Sequence, residues 1–218
     1  MICYRAGVRN ATRRRTMTEP PSELTLFPLN AVLFPDAPLR LRIFEPRYLD
    51  LVSDCLRNER PFGVCLIREG AEAGPAATVH RVGTTARIVD SHREADGLLG
   101  ITARGQQRFR IDASRVTPAQ QIRAFVTLLD DGPAVALAPQ YAELGQFASR
   151  LSEQAGHDYC APDDGDATWV GYRLAELLPF APTAKQALLE ADTAVQRLNL
   201  IAALLTRLSA RHQNEDPR

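Results

Sequence analysis

The hydrophobic pattern of this chain changes its period once, at Asp130-Asp131-Gly132-Pro133, and that switch constrains the fold more than any other feature. Upstream, from Leu24 to about Leu129, apolar residues come as short runs and alternations punctuated by proline and glycine. Leu39, Leu41 and Ile43 interleave with Arg40 and Arg42, the repeat of a strand with one face buried and the other wet. Further strands are predicted at 62–67, 79–89, 98–103, 108–112 and 122–129, after short apolar runs at Leu24, Leu26, Phe27 and at Val32, Leu33, Phe34. Asp96-Gly97 is a hairpin signal, and Gly83 and Gly105 read as a bulge and a turn, where positive φ or close backbone approach is needed. Many short strands at this spacing imply a small closed or nearly closed β-barrel. One helix interrupts them: Tyr48, Leu51, Val52, Cys55 and Leu56 recur at helical spacing behind Pro46, which suits a first turn because its missing N–H costs nothing there.

Downstream, the composition shifts to alanine, leucine and glutamate and the period becomes helical. One helix is predicted from Pro139 through Leu151, a second from Trp169 to Leu178 and a third from Pro182 to Glu190. The last is capped by Asp192 or Thr193, with Val195, Leu198, Ala202, Leu205 and Leu208 as its buried stripe. A β-rich part over 22–130 followed by a helical part over 137–212 is an α+β arrangement. The polar, arginine-bearing residues 1–21 read as a disordered tail, with Met17 an alternative start.

The charge balance narrows the function. Lys+Arg and Asp+Glu are both 26, so no global positive field draws this chain onto nucleic acid or an anionic membrane. Lys185 is the only lysine, which excludes any two-lysine mechanism. Cys3, Cys55, Cys65 and Cys160 form no CxxC pair, and a reducing, cytoplasmic compartment is the simpler reading. The arginines at 13–15 precede a polar stretch instead of the apolar core of a signal peptide, and no run reaches the roughly 20 apolar residues of a membrane span. His80, His92, His157 and His212 give no HExxH spacing. His157 and Cys160 have an interval compatible with shared metal ligation, but no second pair accompanies them. Asp163, Asp164 and Asp166 lack the EF-hand spacing, and no GxSxG elbow exists for a nucleophilic hydrolase. No catalytic residue, cofactor or metal is therefore predicted.

Several strings, in order, resemble one family. Leu26-Phe27-Pro28-Leu29, Val32-Leu33-Phe34-Pro35 and Ile43-Phe44-Glu45-Pro46-Arg47-Tyr48 are similar to the opening of the Lon protease N-terminal, substrate-binding domain. Phe62-Gly63-Val64, Val82-Gly83-Thr84 with Ile88, and Gly105-Gln106-Gln107-Arg108-Phe109-Arg110 continue it. Leu177-Leu178-Pro179 and Lys185-Gln186-Ala187-Leu188-Leu189-Glu190 with Arg197-Leu198 resemble its helical part, so the resemblance covers about residues 24 to 208. It implies a PUA-like pseudo-barrel joined to a helical bundle and a role in contacting protein substrates. Pro35-Asp36-Ala37-Pro38 departs from the pattern, lacking the glycine expected in that turn. The ATPase and Ser-Lys peptidase of Lon have no counterpart: the single lysine is followed by Gln186, not by the Ser or Thr of a P-loop. The resemblance thus implies a stand-alone, non-catalytic relative, with Lys185 a surface or helix-packing residue.

Two readings of Phe44 to Tyr48 stand side by side. In the structural one Phe44 and Tyr48 enter the core, while Glu45 and Arg47 cap the helix or form an ion pair. In the functional one this corner lines a peptide-binding rim, with Phe44, Glu45, Arg47, Tyr48 and Arg108 as the candidate residues. Arg108 and Arg110 flank Phe109 and read as a solvated strand face, or as stacking groups for a ligand. The leading function is a module that binds unfolded or extended protein segments, with a protease system as a further expected partner, no membrane partner and nucleic acid disfavoured. The alternative is RNA binding through the barrel and Arg87, Arg93, Arg104, Arg108 and Arg110, which the neutral charge disfavours. A small hydrolase has no nucleophile and base to support it.

Overall fold

The computed structural model describes residues 22–156 and 165–214, with side chains from Glu23 to Leu208. The expectations for residues 1–21, His157, Cys160, Asp163, Asp164 and the side chain of His212 lie outside them. Seven strands come first: β1 (Ser22–Leu29), β2 (Pro38–Ile43), β3 (Phe62–Glu69), β4 (Thr78–Val79), β5 (Val82–Arg93), β6 (Leu99–Val116) and β7 (Ile122–Leu128). Helix α1 (Pro46–Asn58) lies between β2 and β3, and α2 (Ala142–Ala155), α3 (Ala167–Leu177), α4 (Pro182–Glu190) and α5 (Ala194–Asn214) follow the sheet. This is a β-rich N-terminal portion followed by helices, as the change of period implies.

The strands close on themselves. Their order is β1-β7-β6-β5-β3, and β1 also pairs with β3 in parallel, so those elements form a ring. Strand β2 stands outside the ring, paired antiparallel with the first third of β6 and, among the described residues, with nothing else. Glycine makes the ring possible where backbones nearly touch. A Cβ at Gly105 would lie 2.2 Å from the Phe34 carbonyl oxygen, and one at Gly83 would lie 2.4 Å from that of Val64.

Both glycines therefore serve close approach, inside strands. The two strands predicted at 98–103 and 108–112 are one 18-residue strand, with Gly105 inside it instead of in a turn. The bulges fall beside Gly83, between Thr84 and Ala86 and again between Ile88 and Asp90. The extra residues bend β5 and β6, so one long strand serves both β2 and the ring. Val32 to Phe34 is not a strand; Asp36 takes φ 62 there, the left-handed geometry for which glycine was expected. Aspartate tolerates it better than most residues, and Asp36 N–H donates to Gly105 O at 2.9 Å.

A continuous apolar core runs from the strands into the helices, including Phe34, Ile43, Phe62, Ile101, Leu174, Leu188 and Leu198. A buried polar joint fastens the same boundary. Arg108 reaches Asp131 Oδ1 through Nε at 2.9 Å and Nη2 at 2.6 Å, and its Nη1 donates to the carbonyls of Leu189 and Ala191 at 2.8 and 2.9 Å. Tyr172 donates its hydroxyl to the same Asp131 oxygen at 2.7 Å, and Arg197 lies over the Tyr172 ring at 4.0 Å while donating to Leu188 O. Arg108 is 2 % exposed, so it is not on a solvated strand face; Arg110, two residues on, is.

The Lys185-to-Glu190 string acquires a physical meaning at this joint. Lys185 Nζ donates to Glu176 O at the end of α3, where a cation also suits the helix dipole. Gln186 donates to Val82 O of β5, and Leu188 and Leu189 enter the core. Helix α5 begins with a capping box: Thr193 Oγ1 accepts from Gln196 N–H and Gln196 Oε1 accepts from Thr193 N–H. Its buried stripe runs through Ala194, Leu198 and Ile201, which leaves Val195 exposed, contrary to the predicted stripe. Leu56 of α1 is likewise exposed.

Candidate functional site

The corner between β2 and α1 is where apolar surface meets solvent. Ile43 points into the core, so the strand's alternation turns Phe44 outward, and Phe44 is 62 % exposed. This corrects the structural reading that sent Phe44 inside. Glu45 takes the N-cap position with an extended backbone, but its side chain makes no cap hydrogen bond. Its carboxylate instead lies 3.0 Å from Arg47 Nε, an ion-pair contact.

Arg47 belongs to the scaffold. It is 7 % exposed, donates to Gln120 O at 2.9 Å and to Glu72 O at 3.1 Å, and sits over the Tyr48 ring at 4.6 Å. Those contacts pin the β6–β7 turn and the loop after β3 to the start of α1. Gln120, the turn residue with φ 60, also accepts from Ala76 N–H through its side chain. Tyr48 is buried and stacks on Phe27 with ring centroids 4.0 Å apart, forming the floor beneath the corner. Arg108 sits in the joint described above, with its donors engaged, and drops out of the candidate set.

Two shallow grooves meet at Phe44. One, about 290 Å³, runs along β2 and is lined by Phe27, Leu29, Leu41, Ile43 and Tyr48, with Arg40, Arg42, Glu45 and Glu72 at its rim. The other, about 330 Å³, lies between α1 and the β5–β6 hairpin and is lined by Phe44, Leu49, Leu98, Leu99, His92 and Arg93, with Ile43 shared. The hairpin closes with Glu94 N–H donating to Leu98 O and Gly97 at φ 87, as the Asp96-Gly97 signal implies. Arg42 pairs with Asp96 and ties its tip to β2. Leu49, 41 % exposed, and Leu98 were missed by the sequence reading; Leu49 lies off the apolar stripe of α1, which was a usable signal.

Other depressions lie away from this corner. A depression of about 630 Å³ shares no residue with these grooves; its lining mixes the polar and charged side chains of Glu23, Arg60, Gln107 and Arg123 with apolar Leu24, Pro61 and Leu128. An apolar cleft of about 230 Å³ lies between α4 and α5 near Leu200 and Leu204. The arginines proposed to read RNA do not act as one patch: Arg108 is buried, while Arg87, Arg104 and Arg110 each stand within 4 Å of Glu59, Asp36 or Asp112. Burial pushes the Cys55 thiol up to about 11 and the Cys65 thiol higher, so neither is a reactive thiolate at neutral pH. No helix among the described residues is long and apolar enough to cross a membrane.

The model of the ATP-dependent protease La (LON) substrate-binding domain matches residues 23–207. The chain belongs to that family. A crystal structure of a Lon N-terminal domain protein from Xanthomonas campestris is 37 % identical, covers 84 % of this chain and 98 % of its own, and superposes with a TM-score of 0.72. Lon protease of Anaeromyxobacter dehalogenans is 27 % identical over 84 % of this chain, and Lon protease 2 of Myxococcus xanthus is 31 % identical over 51 %. This chain spans only 20 % and 14 % of those two relatives. The Lon substrate-binding match leaves the ATPase and peptidase of the longer proteins outside the shared region. The Lon strings read from the sequence fall on the elements that build the corner and the joint, with Ile43 to Tyr48 forming the first and Lys185 to Glu190 the second.

Proposed function

We propose that this Lon-family domain is a non-catalytic module that holds extended segments of other proteins at the Phe44 corner. The supporting observation is Phe44 itself: a large ring left in water where two grooves meet, on a floor of buried Tyr48 and Ile43. An aromatic residue held outside the core gains its stabilisation when a partner covers it. Glu45, with 18 % of its side chain accessible, stands beside Phe44 as the polar edge of that surface. The PUA-like kinship of the barrel supports RNA binding by analogy alone, and the arginines that would carry it stand beside carboxylates.

Fluorescence anisotropy with labelled extended peptides tests the reading. Apolar-rich peptides should bind in the micromolar range, and Phe44→Ser should weaken them at least about tenfold, a loss of some 1.4 kcal/mol, with the melting temperature unchanged. Equal binding by the variant, or no binding of any peptide up to millimolar concentration, contradicts it.

A further inference from the structure

The first groove lies along the free edge of β2. Antiparallel pairing with β6 uses the N–H and C=O of every second residue of β2. The others turn toward the opposite edge, where no described element pairs with them. The edge is six residues long, about 20 Å. Its inner face carries Leu39, Leu41 and Ile43 above the apolar lining of the groove, and its outer face carries Arg40 and Arg42. Arg42 is paired with Asp96, whereas Arg40 has no ion pair among the described residues.

Charge decides what this edge accepts. Two copies of β2 pairing edge to edge across a two-fold axis keep each residue on its own face, so the centre of symmetry falls on a residue. Centred on Leu41, Arg40 faces Arg42; centred on Arg40 or Arg42, that arginine faces its own copy. Each of these registers sets arginine against arginine, and like charges directly opposite are destabilising; registers centred on Leu39 or Ile43 avoid the clash only by overlapping three residues of β2 or fewer. The same charges guard the edge against unspecific strand pairing. The stretch before Ser22 carries five arginines and one glutamate, so it is repelled on the same grounds. The partner that fits alternates apolar residues, opposite Leu39, Leu41 and Ile43, with acidic residues, opposite Arg40 and Arg42.

We infer that β2 accepts an extended segment of a partner protein as an added antiparallel strand, and that Arg40 selects segments with carboxylates at alternate positions. Main-chain hydrogen bonds would supply affinity independent of most side chains, while the apolar and charged positions set preference. This rests on the proposal that the Phe44 corner binds protein, and it adds the geometry of binding and the chemistry of the segment.

Three peptides in one backbone pattern test it: valine alternating with glutamate, with lysine and with serine. Binding is read by anisotropy, and hydrogen exchange is followed at the outward-facing amides of β2. The glutamate peptide should bind at least about tenfold more tightly than the lysine peptide at low salt and slow exchange at those amides. Arg40→Glu should invert the preference, a gain for lysine that a merely misfolded variant cannot produce. N-methylation of the peptide on its pairing edge should abolish the exchange protection. Peptide binding that is lost in Phe44→Ser, yet ignores peptide charge and leaves β2 exchange unchanged, overturns strand addition and leaves the corner's role standing. Absence of binding by all three overturns both. Protection of those amides without peptide places a second copy or the chain's own N-terminal stretch on the edge and also overturns it.

Discussion

The joint and the corner use the same ingredients to opposite ends. At the joint, Arg108 and Arg197 spend their donors on Asp131, the Tyr172 hydroxyl and the carbonyls of α4 and its end, and the Tyr172 ring is covered by a guanidinium. At the corner, Arg47 is spent in the same way on Gln120 and Glu72, but the adjoining ring of Phe44 is left in water. A buried arginine that donates to carbonyls of several segments fixes those segments in place; an aromatic ring left in water fixes nothing and is the residue to which the proposed binding is assigned. The difference separates residues whose loss should unfold the protein from one whose loss should leave it folded but unable to bind.

Substitutions should sort along that line. Arg108→Ala removes the cationic partner of half-buried Asp131 and the donor to Leu189 O, leaving Ala191 O with Arg197 alone, and should cost about 2–4 kcal/mol in urea unfolding. A loss below about 1 kcal/mol would mean that the joint does not fasten the helices to the strands. Tyr172→Phe should act mainly in alkali. Burial holds the Tyr172 phenol neutral above its ordinary range, as does its bond to Asp131. A raised folded pKa contributes stability that is complete below about pH 10 and lost as pH rises further. Stability of the parent should therefore fall more steeply above that pH than stability of Tyr172→Phe; parallel curves would remove the phenol from the account. Phe44→Ser should have the smallest effect on folding, within about 0.5 kcal/mol, and a larger loss would place the ring in the core after all.

Much of the fold was legible because it rests on local periodicity. The start of α1 at Pro46, the whole of α4 and the Asp96-Gly97 hairpin follow from residues within one or two turns of each other. Arg108 was illegible for the opposite reason: its partners Asp131, Leu189 and Ala191 lie 23, 81 and 83 residues away, and an arginine on an alternating strand looks the same whether it meets water or a carboxylate. Phe44 was within reach, since carrying the Leu39-Leu41-Ile43 phase one residue further points it outward. The pull of two rings near a proline corner favoured the core instead. That β2 leaves the ring and keeps a free edge depends on β6 running unbroken for 18 residues, which the glycine at position 105 concealed.

Site-specific photo-crosslinking makes the most direct test of where this protein meets its partners. A photoreactive residue at position 44, and in a second sample at position 128 beside the depression of about 630 Å³, is presented with a reduced and alkylated unfolded protein and irradiated. Crosslinks should form from position 44 and be displaced by excess extended peptide, with position 128 near background. Equal yields at the two positions, or a preference for 128, would contradict the assignment of binding to the Phe44 corner.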